Sequence, residues 1–193
     1  MKFSDDITNE ELNNLEIKAF EGEVTVVENL EDVPKAVEYL NKFKIIGFDT
    51  ETRPSFKKGK VNNIALLQFS TEERAILFRT NKIGLPNEII KIFENPNILK
   101  IGVAVHDDIR GLQKLNKFEP NGFVELQQLV KKYGIMVAGL KKMVGIILKF
   151  RISKAKQLSN WEQTKLSQGQ IIYGATDAWT ALLIYKKLTN TKI

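Results

Sequence analysis

Two acidic residues follow an apolar run in the segment IIGFDTETRPSF. Asp49 and Glu51 are two positions apart, and residues two apart in an extended chain project to the same side. Both carboxylates can therefore face one ion, and a hard divalent cation such as Mg²⁺ prefers oxygen ligands of this kind. The plain alternative is a solvated acidic strand end, because a chain with 23 acidic residues produces such pairs by chance.

A second acidic pair, Asp107 and Asp108, lies in KIGVAVHDDIRGL, where an apolar run gives way to a helical pattern. Asp108 shares its helical face with Leu112 and Leu115, and that face must turn toward the sheet. Asp107 falls on a solvated face and suits the N-cap position of the helix. We therefore expect Asp108 to be the inward acid. His106, directly before the pair, fits a loop residue better than a metal ligand.

The third candidate element is IIYGATDAWTALLIYKKL, in which Tyr173 and Asp177 are four residues apart. Residues at this spacing lie on one face of a helix. The small residues Ala175, Ala178 and Ala181 would allow this helix to approach the sheet closely. A buried aspartate then needs a cation or hydrogen-bond partners. Tyr173 alone could equally be a core aromatic whose hydroxyl is satisfied.

These candidates need a scaffold of strands and helices, and the hydrophobic patterns predict an α/β fold. Strand patterns are EVTVV, KIIGFDT, NIALLQFST, RAILFRT and NILKIGVAV. Helical patterns are TNEELNNLEIKAF with Thr8 as N-cap, LEDVPKAVEYLNKF, LPNEIIKIFEN, DDIRGLQKLNKF, VELQQLVKKYG, AGLKKMVGIIL and a long segment from Ser167 to about Leu188. The adjacent early strands fit hairpin pairing, so we expect a mixed sheet. The acids fall at strand ends, where open α/β sheets bind ligands.

Composition excludes several classes of protein. With 193 residues, 43% of them apolar, the chain is long enough for one domain with a proper core. It has neither an apolar run of about 18 residues nor a signal-peptide pattern, so we expect a cytoplasmic protein with no membrane contact. Cysteine is absent, which excludes disulfides, a thiolate nucleophile and a Cys-type zinc site. His106 is the only histidine, so no site can use two from one chain.

The net charge of +6 is unevenly distributed. Residues 1 to 32 contain ten acids against two lysines, whereas residues 131 to 165 contain nine Lys or Arg and one acid. A body this basic suits a polyanion such as nucleic acid, because neutralised phosphates release counterions. A lysine-rich solvated surface would give the same count, so charge alone leaves both interpretations open.

The three elements together resemble the DEDD superfamily of 3′–5′ exonucleases, which includes RNase D, the exonuclease domain of the Werner-syndrome protein and the proofreading domain of DNA polymerase I. GFDTETRPSF is similar to the first motif, IGVAVHDDIRGL to the second, and SNWEQTKLSQGQIIYGATDAWTALLIY to the third. The histidine branch of the superfamily has His five residues before the last Asp, a position that Ile172 occupies here. Tyr173, four residues before that Asp, is typical of the tyrosine branch.

The resemblance implies a single-domain, ribonuclease H-like fold with a mixed sheet flanked by helices. It implies an exonuclease domain over 24–193, and the charge and helical pattern before it predict a separate acidic N-terminal helical segment over 1–23. The implied activity is release of nucleoside 5′-monophosphates from a single-stranded or frayed 3′ end of DNA or RNA, with two Mg²⁺ or Mn²⁺ ions. Asp49, Glu51 and Asp177 would bind one ion, and Asp49 and, through water, Asp108 the other. Tyr173 would orient the attacking water.

Substrate contacts are implied less directly. Arg53, Lys57, Lys58 and Lys60 follow the first motif and could line the substrate entrance, although a solvated loop explains them equally well. Thr52 stands where Werner-like proteins commonly have an aromatic residue, and by analogy it could contact the terminal nucleotide.

Two further residues bear on these interpretations. Trp161 suits a core position better than stacking on a base. Glu125 stands in VEL, where the Werner-like relatives often have DL. The alternative function is a non-catalytic nucleic-acid-binding module on the same fold, but such modules would lose one or more acids and this chain keeps all four.

Overall fold

Six strands form one mixed sheet in the computed structural model, which describes residues 3–55, 59 and 62–191. The strands are β1 (Glu23–Val27), β2 (Ile45–Thr52), β3 (Ile64–Ser70), β4 (Arg74–Phe78), β5 (Leu99–Gly102) and β6 (Phe123–Glu125). Their order across the sheet is β1-β4-β3-β2-β5-β6. β3 runs antiparallel to its neighbours β2 and β4, and the other pairs are parallel. The predicted α/β class with a mixed sheet is confirmed.

Helices cover both faces of the sheet. They are α1 (Asn9–Asn13), α2 (Val33–Leu40), α3 (Thr80–Ile83), α4 (Asn87–Glu94), α5 (Val105–Leu112), α6 (Leu126–Leu129), α7 (Leu140–Met143) and α8 (Gln168–Thr189). The apolar side chains of α2, α4 and α5 share one core cluster, whereas α8 contributes to the clusters of the other face. Within the described residues, none of these helices combines the length and the apolar character that a membrane crossing requires.

The central strand β2 divides its side chains between the two faces. Ile46 and Phe48 enter the core beneath α2 and α4, and Gly47 and Asp49 alternate with them toward α8. β2 pairs with β5 only as far as Gly47, opposite Ile101, and then continues past the end of β5. The acids at 49 and 51 therefore lie inside the strand, along the part that extends past β5, and not after its last residue.

The start of α5 differs from the prediction. We expected a strand as far as Val105 and a helix capped by Asp107, but β5 ends at Gly102 and α5 begins at Val105. Ala104 occupies the N-cap position with a φ of 58°. The early start has a tertiary cause, because the carboxylate of Glu125 accepts the N–H groups of Ala104 and Val105. The prediction that Asp107 is the N-cap of this helix was wrong.

Other elements differ in length. Thr8 caps α1 with the predicted capping box, but the helix ends at Asn13 instead of near residue 20. The segment VELQQLVKKYG begins with the short strand β6, which pairs with β5, and only then becomes helical. AGLKKMVGIIL contains α7 followed by a π-helical turn, Val144–Leu148. The long C-terminal helix is confirmed, with Ser167 as its N-cap.

The acidic N-terminal residues pack along the basic C-terminal half. The backbone N–H of Met136 donates to the carbonyl oxygen of Asp5 at 2.8 Å, and that of Arg151 donates to Glu16 at 2.9 Å. Leu12 is 1% exposed. This segment is therefore attached to the body by backbone hydrogen bonds and by burial. A domain boundary after residue 23 stays a prediction.

Candidate active site

Three carboxylates from two elements meet at the extension of β2. Asp49 and Glu51 project from β2 and Asp177 from α8, and one oxygen from each lies within 4.8 Å of the others. Divalent cations bind carboxylate oxygens at about 2.0–2.6 Å, so two oxygens on opposite sides of an ion are about 4–5 Å apart. The three side chains can therefore bind one ion in common.

The close approach of α8 to β2 brings Asp177 into this group. A Cβ atom at Gly47 would lie 1.8 Å from the carbonyl oxygen of Ala178, so only glycine fits beneath the helix. Ala175 and Ala178 on the helix are fully buried. Because Asp177 directly precedes Ala178, the contact that fixes the helix against the strand also fixes the carboxylate.

The acids repel one another in a partly desolvated site. Burial raises the pKa of Glu51 to about 9, and the charges of Asp177 and Asp108 add to the shift. Burial also raises the pKa of Asp177 to about 7 and holds that of Asp49 well above its ordinary range. No lysine or arginine of the described residues forms an ion pair with these acids. Clustered carboxylates that form no ion pair and offer only oxygen donors fit a hard divalent cation.

Asp108 lies beside this group and is not one of the three converging acids. The hydroxyl of Thr50 donates to its Oδ1 at 2.6 Å, and burial raises its pKa to about 7 against that hydrogen bond. Glu125 holds the helix that carries it, since its two oxygens accept from the N–H groups of Ala104 at 3.1 Å and Val105 at 2.9 Å. Asp108 is thus an inward acid, as predicted, and it is close enough to raise the pKa of Asp49.

Tyr173 lies one helical turn before Asp177 and faces the same site. Burial raises the pKa of its hydroxyl well above the ordinary value, and the charges of Asp177 and Glu51 raise it further. The phenol therefore stays protonated and acts as a hydrogen-bond partner. Its ring lies 5.9 Å from that of Trp161, which is fully buried. The core position predicted for Trp161 is confirmed.

Comparison with known proteins agrees with this geometry. The model of the 3′–5′ exonuclease family matches residues 24–192. The chain belongs to the 3′–5′ exonuclease family. It is 32% identical over 152 residues to the mouse (Mus musculus) bifunctional 3′–5′ exonuclease/ATP-dependent helicase WRN, covering 76% of this chain and 11% of that protein. It is 31% identical over 167 residues to a putative 3′–5′ exonuclease of Acanthamoeba polyphaga mimivirus, covering 76% and 40%.

Solved structures share the exonuclease fold. The Nibbler EXO domain of Aedes aegypti superposes with a TM-score of 0.80 at 23% identity, covering 89% of this chain and 90% of that one. Escherichia coli RNase D gives a TM-score of 0.76 at 22% identity, covering 86% and 44%. The family resemblance inferred from the three motifs is confirmed, as is the ribonuclease H-like fold. The chain spans well under half the length of the curated relatives given above.

Two of the predicted substrate contacts, Thr52 and Arg53, lie in the part of the chain that the structure describes. Arg53 forms an ion pair with Glu162 at 3.3 Å, and Thr52 is exposed and lines a separate cavity next to Asp108. Lys57 and Lys58, like Lys60, lie outside the described residues. Contacts of Thr52, Arg53, Lys57 and Lys58 with a substrate stay predictions.

The three converging acids line a cavity of about 300 Å³, and Lys141 and Lys154 line it as well. Neither was among the site residues predicted from the sequence, and neither was Thr50. The basic stretch 131–165 contains both lysines, but a charge count does not indicate which of its nine cations faces the acids. Only the folded arrangement of α7 and the segment before α8 makes that selection.

The metal-free protein should lose stability as pH rises from about 5 to 9. Asp108 and Asp177 have pKa values of about 7 and Glu51 of about 9, against 3.8 and 4.5 for free side chains, so the folded state binds more protons than the unfolded state in this range. The free energy of unfolding then falls with pH. Urea denaturation with EDTA at pH 5, 7 and 9 measures this slope.

Magnesium provides the control for this slope. Excess Mg²⁺ should stabilise the protein most at pH 9 and flatten the dependence, because the ions bind only the ionised acids. General charge repulsion predicts instead that the free energy of unfolding rises with pH, because the net positive charge decreases as the chain approaches its pI of about 9.3. A free energy of unfolding that rises with pH in EDTA would contradict the interpretation of the acid cluster.

Proposed function

We propose that this protein is a metal-dependent 3′–5′ exonuclease that hydrolyses the terminal phosphodiester bond and releases nucleoside 5′-monophosphates. The observation that carries the proposal is the convergence of Asp49, Glu51 and Asp177 in one cavity with the hydroxyl of Tyr173. Membership of the 3′–5′ exonuclease family supports it. We assign the activity to residues 24–193 and treat residues 1–23 as a separate acidic segment.

In this proposal the four acids hold two divalent ions, Mg²⁺ or Mn²⁺. Asp49, Glu51 and Asp177 would hold the first, because their oxygens converge. Asp49 and, through water, Asp108 would hold the second, and the hydroxyl of Thr50 orients Asp108 by a hydrogen bond. Such ions supply charge neutralisation at the attacking and leaving oxygens of an in-line displacement. Carboxylates that repel one another in the free protein gain stability when these cations bind.

In this proposal a side chain of the third motif orients the attacking water. The protonated hydroxyl of Tyr173 positions the attacking water by a hydrogen bond, since a phenol with a raised pKa is a poor general base. The fully buried ring of Trp161 packs against the ring of Tyr173. Tyr173 therefore contributes orientation and not proton removal.

The substrate in this proposal is a single-stranded or frayed 3′ end of nucleic acid. The cavity of about 300 Å³ is at the small end of ligand pockets, which suits one unpaired nucleotide better than a base pair. The basic half of the chain suits a polyanion that extends from the cavity. Trypanosoma brucei RNase D, one of the structural neighbours, has been solved with RNA U12. We propose that either RNA or DNA enters this cavity.

A degradation assay tests the proposal. The protein is incubated with 5′-labelled single-stranded DNA, single-stranded RNA and a recessed duplex in Mg²⁺ or Mn²⁺, with EDTA and the Asp177→Asn variant as controls. We expect a ladder shortened from the 3′ end, with 5′-monophosphates as products, that is absent in both controls. Tight binding without degradation of any substrate would instead favour a non-catalytic binding module.

A further inference from the structure

Two lysines that lie outside the family motifs line the acid cavity. Lys141 belongs to α7, and Lys154 lies in the segment between the π-helical turn and α8. Both line the cavity of about 300 Å³ together with Asp49, Tyr173 and Asp177. The charge of Lys154 acts on Asp177, where it favours the ionised carboxylate. These lysines therefore belong to the electrostatics of the site.

Neither lysine has a carboxylate partner of its own. In the part of the chain that the structure describes, no ion pair includes Lys141 or Lys154. The neighbouring Lys142 differs, because its Nζ donates to Asp6 at 2.6 Å. Lys154 is also exposed, so its ammonium group can reach a ligand that enters the cavity.

The balance of charge indicates which ligand these lysines meet. Four ionised acids and two divalent ions would cancel, so the positive charge of a lysine beside them would have no counterion within the cluster. A phosphodiester that enters the cavity brings one uncompensated negative charge. An ammonium group at the cavity wall can neutralise this charge by donating a charge-assisted hydrogen bond to a phosphate oxygen.

We propose that Lys154, with Lys141 beside it, binds the phosphate of the 3′-terminal nucleotide in the acid cavity. This inference rests on the proposed function, because it requires a phosphodiester substrate at the acids. It assigns a substrate-binding role to residues that lie about a hundred positions from the first motif. Arg53, which follows that motif directly, is held by Glu162 instead.

Binding of a 5′-monophosphate without turnover tests the assignment. Isothermal titration measures binding of uridine and thymidine 5′-monophosphates in Ca²⁺, and uridine serves as the phosphate-free control. Lys154→Ala should weaken monophosphate binding about 10- to 100-fold, the value of one charge-assisted hydrogen bond. Lys154→Arg should bind more tightly than Lys154→Ala. In the nuclease assay Lys154→Ala should raise KM and change kcat less.

Lys142→Ala is the matched control, since it removes an adjacent charge that Asp6 already neutralises. It should bind the monophosphate as the wild type does. If the wild type degrades oligonucleotides but Lys154→Ala and the Lys141→Ala/Lys154→Ala double variant bind the monophosphate normally, the lysine assignment is wrong and the proposed function stands. If the wild type neither degrades an oligonucleotide nor binds a monophosphate, both fail.

Discussion

Asp49→Asn should abolish nuclease activity and, in the absence of metal, stabilise the fold. The substitution keeps the shape of the side chain but removes the charge that both proposed ions share. Loss of several kcal/mol of electrostatic stabilisation in the transition state corresponds to a rate decrease of about 10³-fold. The free protein, in contrast, loses a carboxylate whose pKa burial and three neighbouring acids raise. Stability and activity therefore change in opposite directions.

The two effects are measured on one preparation. Nuclease rate in Mg²⁺ gives the first, and the melting temperature in EDTA at pH 8 gives the second. Asp107→Asn is the matched control, because this exposed aspartate pairs with Arg110 and lies outside the converging group. It should leave both quantities near the wild-type values. An Asp49→Asn protein that melts at a lower temperature than the wild type in EDTA would refute the electrostatic argument, even if it were inactive.

Local periodicity predicted which side chains of each element share a side, and the three motifs together identified the converging group. Asp49 and Glu51 share a side because a strand alternates, and Tyr173 and Asp177 share a side because a helix repeats every 3.6 residues. These relations hold within single elements, so the sequence contains them directly. That the two elements meet was indicated by the small residues on α8 and by the family resemblance.

The sequence did not reveal features that depend on distant contacts. The start of α5 is set by Glu125, about twenty residues away, so the local pattern misplaced the cap at Asp107. β6 has three residues, which is too short for a periodic signal, and it exists because it pairs with β5. The segment after α1 is extended because Ile17 bridges to Arg151. In each case a tertiary partner overrides the local preference.

Charge distribution fitted a polyanionic partner and a solvated surface equally well, and it did not predict the contacts. The lysines of the basic stretch 131–165 have different surroundings in the fold. Lys142 pairs with Asp6, whereas Lys154 faces the acids. A sequence gives the number of cations, and the arrangement of loops around the cavity decides which of them are available to a phosphate.

Gly47→Ala should impair both folding and catalysis, although it adds only one methyl group and leaves all four acids in place. The new Cβ would lie 1.8 Å from the carbonyl oxygen of Ala178 and 3.3 Å from the Cβ of Leu182. A backbone carbonyl cannot rotate away as a side chain can, so α8 must shift from β2. Overpacking of this kind costs about 1–3 kcal/mol of unfolding free energy. Displacement of a catalytic group by about 1 Å lowers the rate about 100-fold.

Gly169→Ala on the same helix separates the effect of the contact from that of the added methyl group. Its Cβ would meet only Cε of Lys156 at 2.8 Å, the far end of a flexible side chain, and alanine favours a helix over glycine by about 0.5–1 kcal/mol. This variant should be at least as stable as the wild type and fully active. Urea denaturation and nuclease rate measure both variants, and Mg²⁺-induced stabilisation reports the site without turnover. If Gly47→Ala keeps wild-type activity and metal response, the seating of α8 on β2 does not position Asp177, and the acids must be held by their own side-chain contacts.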